Sequence, residues 1–308
     1  MLIKNKTNLI IPECPDKYMI RITYTQGQFR IYPCCAYELY DPKNFYGILT
    51  KEDILNKNVY NKILISKREY NRNNKALKPL QPLCNNIVQL QNYPYRINGV
   101  LNKNYLCDFN KYERFDSINV SIQHTCNLNC IMCNYKHEPN SEIDELYFLI
   151  LEQLRGYNLK TIQLTQEGEP FYYKKRTLDY LQSLTTNDCQ TVFIISNITL
   201  LNDEDIETLS NLKVKVHLIA SIDGVTEETY KKIRRNNLFN KVMHNAELLI
   251  QHKILKSINF VVQELNTTEI PLIIEYCKMH NIKCNLLPLE NENEKYREII
   301  NDYTQKCR

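Results

Sequence analysis

The stretch SINVSIQHTCNLNCIMC, residues 117–133, decides how this chain reads. Its first seven residues are rich in apolar and β-forming types, as a strand requires. The chain then turns polar and places Cys126, Cys130 and Cys133 within eight residues, in a Cys-x3-Cys-x2-Cys frame. Strand followed by polar loop recurs along the rest of the chain. Apolar, β-rich runs stand at TIQLTQ (161–166), TVFIIS (191–196), VHLIAS (216–221), INFVVQ (258–263) and CNLLPL (284–289). Helical patterns lie between them, among them EIDELYFLILEQL (142–154), NDEDIETLSNL, FNKVMHNAELLIQHK and TTEIPLIIEYCKMHN. Near-continuous apolar strands joined by helical crossovers predict an α/β fold whose parallel sheet is covered by helices. Six such units are fewer than a closed barrel needs, so the expected architecture is a partial (β/α)6 TIM-type barrel. Its chemistry should gather at the carboxyl ends of the strands.

Composition narrows the classes. The 308 residues suit one large α/β unit plus a smaller module, and 43% hydrophobic content is enough for a real core. No window approaches the ~18 unbroken apolar residues of a membrane span, and the N-terminus lacks the apolar run and cleavage site of a signal peptide. The expectation is a cytoplasmic protein with no membrane partner. A net charge of +4 is too mild to argue for nucleic acid. The 22 Tyr and absent Trp, alongside abundant Asn, Ile and Lys, fit biased codon usage and carry no functional weight. Twelve cysteines without an export signal point to metal binding or catalysis rather than disulfides.

The triplet needs its own explanation. A zinc site asks for a fourth nearby Cys or His and normally pairs one Cys-x2-Cys with another. Three thiolates on one loop fill three irons of a four-iron cluster and leave the fourth without a protein ligand. Taken alone, the spacing also admits a zinc site or three unrelated buried thiols.

Together with motifs at later strand ends, the triplet resembles the signature of radical S-adenosylmethionine (SAM) enzymes. In that family the open iron is chelated by SAM, which is cleaved to methionine and a 5′-deoxyadenosyl radical that abstracts hydrogen from substrate. The resemblance implies a [4Fe–4S] cluster on Cys126, Cys130 and Cys133, which are then the catalytic as well as the metal residues. Glu167-Gly168-Glu169-Pro170 is similar to the Gly-Gly-Glu-Pro motif that receives the SAM amino group, with Glu167 replacing the first Gly. There Gly168 allows close backbone approach and Glu169 offers a carboxylate. Glu167 is expected to affect only the turn geometry. SNITLL carries Ser196 and Asn197 of a Ser-Asn-Gly turn, with Ile198 where Gly is usual. SIDGVTEETYKKIRR (221–235) resembles a stretch of the subgroup with auxiliary clusters. By that resemblance Ser221 and Asp223 face the ribose or carboxylate of SAM, Arg234 reaches the carboxylate, and Gln263 of FVVQELN flanks adenine and ribose. The implied partners are a peptide or small-molecule substrate and an electron donor such as flavodoxin or ferredoxin. The implied substrate is most often a ribosomally made peptide or protein that is crosslinked, oxidised or epimerised. A sugar or other small molecule is the alternative, and a non-catalytic iron–sulfur binding protein is the alternative of another class.

The first ~115 residues read differently. They hold short β-like runs (MIRITYTQGQFRIYP, 19–33), an amphipathic piece near 51–66 and a basic stretch at 66–79. A composition change near 110–117 divides the chain into segments 1–115 and 116–308. Cys14, Gly27, Pro33-Cys34-Cys35, Gly47 and Cys84 follow the order of the auxiliary-cluster module called SPASM or twitch, with Ile87 where its last Cys is usual and Cys107 as the nearest replacement. This resemblance implies a small α+β iron–sulfur module with a second [4Fe–4S] cluster on Cys14, Cys34 or Cys35, Cys84 and Cys107. The family usually has the module after the core, whereas here it comes first. Cys189, Cys277, Cys284 and Cys307 read as core or surface thiols.

Overall fold

A two-residue turn opens the main sheet. β3 (Met19–Thr25) and β4 (Gln28–Tyr32) form an antiparallel hairpin in which Thr25 faces Gln28. Its turn residues Gln26 and Gly27 both have positive φ, 51° and 77°, as a type I′ turn demands. Ahead of it, β1 (Leu2–Lys4) and β2 (Ile10–Pro12) pair antiparallel. After it come β5 (Gly47–Leu49) and two helices, α1 (Lys51–Leu55) and α2 (Val59–Asn73). The computed structural model describes residues 2–4, 10–12, 19–32, 45–73, 115–133, 139–164, 167–289 and 293–306.

From residue 117 the expected alternation is present. β6 (Ser117–Val120), α3 (Ser141–Glu152), β7 (Leu159–Leu164), α4 (Lys174–Ser183), β8 (Cys189–Ser196), α5 (Asp203–Ser210) and β9 (Lys215–Ser221) follow in order. Two helices, α6 (Glu227–Arg234) and α7 (Phe239–Gln251), precede β10 (Leu255–Val262). A 3-10 turn (Glu264–Glu269) leads into α8 (Ile270–Met279), β11 (Lys283–Pro288) and α9 (Asn293–Lys306).

Strands β6 to β11 run parallel in sequence order, which bears out the α/β class and the open, partial barrel. The same sheet continues past β6. β3 pairs parallel with β6, Ile20 opposite Ile118 and Ile22 opposite Val120, giving the order β11-β10-β9-β8-β7-β6-β3-β4-β5. The strands of the 19–49 segment thus extend the barrel sheet directly. The apolar face of these strands, with Ile22, Ile118, Val120, Ile162, Leu164, Val192 and Ile194, joins helix residues such as Tyr147, Ile150, Leu181 and Leu249 in one core. Strand alternation sends Asn119, Gln163, Phe193, His217 and Asn259 to the other face, where most remain half-exposed. Asn119 donates to Gln163 there at 3.0 Å, and Asn285 to Asn259 at 2.8 Å. Among the described residues no helix is long and apolar enough to cross a membrane.

Because β3 shares this core, Ile22→Ala should destabilise the whole unit by about 2–5 kcal/mol in urea unfolding. The exposed Leu272→Ala should stay within ~0.5 kcal/mol. A small loss at Ile22 would mean that β3 is an appendage.

Candidate functional site

The cysteine loop begins where β6 ends, and a buried carboxyl from α3 holds it. Asp144 accepts the backbone N–H groups of His124 (2.5 Å) and Thr125 (3.2 Å) and the Thr125 hydroxyl (2.6 Å). A buried loop backbone needs such acceptors once it leaves the sheet. Past this anchor stand Cys126, Cys130 and Cys133, all half-buried cysteines. The Cys126 sulfur accepts the Leu128 N–H at 3.4 Å, and the Cys133 N–H donates to the Cys130 carbonyl at 3.1 Å. Ile131 N–H donates to the Ile233 carbonyl (3.0 Å), tying the loop to the end of α6.

The turn after β7 presses onto this loop. Gly168 has φ +69°, and a Cβ there would lie 2.6 Å from the Gln123 carbonyl oxygen and 2.7 Å from that of Thr125. Glu169 N–H donates to the Thr125 carbonyl at 2.9 Å, and the Gln123 side-chain amide donates to the Glu169 carbonyl. The Glu169 carboxyl is buried and accepts three bonds, from Ser196 Oγ (2.6 Å), Asn197 N–H (2.8 Å) and Phe171 N–H (3.2 Å). Burial raises its pKa, and these bonds oppose the rise. Glu169 therefore also fixes the turn after β8.

Within that turn the Asn197 amide donates to Asn127 Oδ1 (3.0 Å) and lies 3.9 Å from the Cys126 sulfur. Its oxygen accepts the Thr199 N–H (3.0 Å) and hydroxyl (2.6 Å). Ile198 sits at φ +53°, fully buried. A left-handed conformation costs a β-branched residue roughly 1–2 kcal/mol, which accounts for Gly being usual there.

After β9, Asp223 is fully buried between the Val261 N–H (2.6 Å) and the Arg234 guanidinium. Burial raises the Asp223 pKa and Arg234 opposes the rise. Arg234 also donates to the Cys130 sulfur at 3.6 Å. Burial pushes the Cys126 thiol up to about 12 and raises the Cys130 thiol, against Arg234. Metal binding would have to displace these protons. Asn266 donates to the carbonyls of Asp223 (3.0 Å) and Val261 (2.8 Å) and accepts the Gln263 N–H (2.8 Å). The Gln263 Nε2 is buried with no partner among the described residues. Ser221, half-exposed, ends β9 opposite Asn259.

The structure thus joins Gly168, Glu169, Ser196 and Asn197 to Cys126, and Asp223 and Arg234 to Cys130. Ser221 and Gln263 stand at neighbouring strand ends without a recorded bond to either group. Cys14, Cys34, Cys35, Cys84, Cys107 and Cys307 lie outside the described residues. Cys189, Cys277 and Cys284 are buried, as core thiols. Sequence reasoning missed Asp144, Asn127, Asn266 and Glu269, which accepts the Val225 N–H and Thr226 hydroxyl at 2.7 Å each. An acidic residue on the apolar face of α3 was the available signal for Asp144. From sequence, Glu167 is expected to affect only the turn geometry. It is buried instead, with four hydrogen-bond partners.

The donor set fits an iron–sulfur cube. Its three protein ligands bind three different irons, so the sulfurs need not converge on one ion. Among the described residues no three His, Cys, Asp or Glu side chains do so. The orphaned Gln263 donor, just past the end of β10, fits a polar ligand at that strand end.

Gly168→Ala should cost about 1–3 kcal/mol from backbone strain alone, with the carbonyl clash added. We expect a lowered urea midpoint in the apo chain and reduced iron uptake on reconstitution.

The radical SAM superfamily model matches residues 120–277, just over half of the chain. GTP 3',8-cyclase of Clostridium perfringens (strain SM101 / Type A) is 25% identical over 202 residues, 62% of this chain and 61% of its own length. The chain therefore spans less than two thirds of that relative. The antilisterial bacteriocin subtilosin biosynthesis protein AlbA of Bacillus subtilis (strain 168) is 27% identical over 155 residues, 48% of this chain and 34% of its own. Streptococcus suis SuiB bound to S-adenosylmethionine aligns over 96% of this chain and 68% of its own, at 12% identity and TM-score 0.47. With more than half of its length matched by the family model, over the segment that carries the cysteine loop and the strand-end motifs, the chain belongs to the radical SAM superfamily.

Proposed function

We propose that this chain is a radical SAM enzyme that holds a [4Fe–4S] cluster on Cys126, Cys130 and Cys133 and binds SAM beside it. One observation carries this reading: motifs from separate strand ends meet at the cysteines. Gly168 and Glu169 lie on the Gln123 and Thr125 backbone, Asn197 at the Cys126 sulfur and Arg234 at the Cys130 sulfur. When bound, the group supplies a one-electron reductant and, with SAM, the radical that takes hydrogen from a substrate. The chain's own residues hold and orient. Arg234 offsets the negative charge that thiolates bring, and Asp223 keeps Arg234 in place. The buried Gln263 Nε2 offers a donor to adenine or ribose, with Ser221 at the adjacent strand end. Glu169 and Ser196 lock two motif turns together and so preserve the geometry of the strand ends.

The substrate we favour is a ribosomally made peptide or protein, supported by the similarity to AlbA, a bacteriocin biosynthesis protein. A small molecule is the second reading. It is favoured by the cyclase relative, named for GTP, and by the neutral polar groups of Asn119, Gln163, Asn259 and Asn285 on the half-open sheet face. We assign the second [4Fe–4S] cluster to Cys14, Cys34 or Cys35, Cys84 and Cys107, the first ~115 residues to a SPASM/twitch-like module, and the electron supply to a flavodoxin- or ferredoxin-type donor in the cytoplasm.

Anaerobically reconstituted chain supplied with a reductant should cleave SAM to methionine and 5′-deoxyadenosine. Replacing Cys126, Cys130 and Cys133 together by Ala should abolish this. Iron binding without any SAM cleavage would instead identify a non-catalytic iron–sulfur protein.

The same triple variant should still hold about four irons if the N-terminal cysteines carry a cluster. Adding Cys84→Ala should then remove them. An iron-free triple variant that stays folded would leave those cysteines structural.

A further inference from the structure

The ladder between β3 and β6 ends at Ile22 and Val120. Beyond it β6 gives way to the cysteine loop, while β3 runs on through Thr23 and Tyr24. There a different linkage takes over. Thr23 donates its hydroxyl to Glu167 Oε1 at 2.5 Å. The Tyr24 N–H donates to the Tyr147 hydroxyl at 2.6 Å, and that hydroxyl donates to Glu167 Oε2 at 2.7 Å. On its other side Glu167 meets the cysteine loop twice. His124 Nδ1 lies 3.0 Å from Oε2, and the Glu167 N–H donates to Ser121 Oγ at 3.0 Å. Ser121 and His124 bracket the approach to Cys126.

The side chain of Glu167 is fully buried. Burying a carboxyl is costly unless its oxygens are satisfied, and here both are. Glycine, the usual residue at this motif position, would make none of these side-chain bonds. We propose that Glu167 is a positioning residue: it latches the N-terminal strand to the cysteine loop, so that β3 becomes part of the wall that sets the first cysteine in place. The latch makes the order of the N-terminal segment and the order of the loop one coupled quantity, and such coupling is reciprocal. Its consequence for chemistry rests on the function proposed above, but the latch itself is a property of the chain alone.

Amide hydrogen exchange on the iron-free chain reads it directly, with Glu167→Gly, Glu167→Gln and Thr23→Val compared with the unaltered protein. Glu167→Gly should speed exchange in both residues 23–25 and residues 121–126 by about tenfold or more, the scale of a lost charge-assisted bond. Glu167→Gln, which keeps one acceptor oxygen, should lose less. Thr23→Val removes one hydroxyl at nearly constant volume and leaves the ladder to β6 intact. It should still loosen 121–126, on the far side of Glu167, and add little on top of Glu167→Gly. As a second readout, the electron paramagnetic resonance spectrum of the reduced, reconstituted Glu167→Gly protein should broaden while its iron content stays near that of the parent. Exchange that rises in only one segment, or loosening by Thr23→Val confined to β3, overturns the latch. Failure of the functional reading shows separately, as absent iron or SAM cleavage in the unaltered chain. If Glu167→Gly does not fold, Thr23→Val alone decides.

Discussion

At Gly168 the absence of a side chain lets two loops share one space. The turn after β7 lies with its α-carbon against the carbonyls of Gln123 and Thr125, closer than any Cβ could come. That contact brings the Glu169 N–H to Thr125 and the Glu169 carboxyl to Ser196 and Asn197. Asn197 then reaches Cys126. Three strand ends are chained together from a single glycine, and the cysteine loop is the first link.

At the carboxyl edge of the sheet, buried acidic side chains tie the loops together. Asp144, Glu167, Glu169, Asp223 and Glu269 each accept backbone N–H groups, hydroxyls or other polar side chains from a neighbouring loop. Loops that leave a parallel sheet carry backbone donors that no strand satisfies, and a carboxyl oxygen can accept more than one of them. A network of this kind is stiff when complete and costly when broken. The same edge also carries strain, since Ile198 is held left-handed by full burial and by the Asn245 amide, which donates to its carbonyl at 2.8 Å. Such stiffness suits the cluster-holding site proposed above.

The N-terminal strands belong to this arrangement. β3 enters the sheet beside β6, and its outer residues meet the carboxyl of Glu167. A motif position usually filled by glycine thus became a junction between the barrel and the hairpin that precedes it in the chain.

Periodicity alone determined the α/β class, the six parallel strands and the half-open barrel, because strand and helix alternation is local and each apolar run must find a partner sheet. The cysteine spacing and the motifs after each strand were equally local, so Cys126, Gly168, Glu169 and Asn197 could be named by the resemblance of short stretches to family motifs. Only the tertiary structure decided that β3 to β5 extend the same sheet, since parallel pairing of Ile22 with Val120 spans nearly a hundred residues and leaves no short-range mark. It also decided which partners meet Glu167, Asp144 and Arg234. The burial of a charged residue is fixed only when distant loops supply hydrogen bonds strong enough to offset the loss of water.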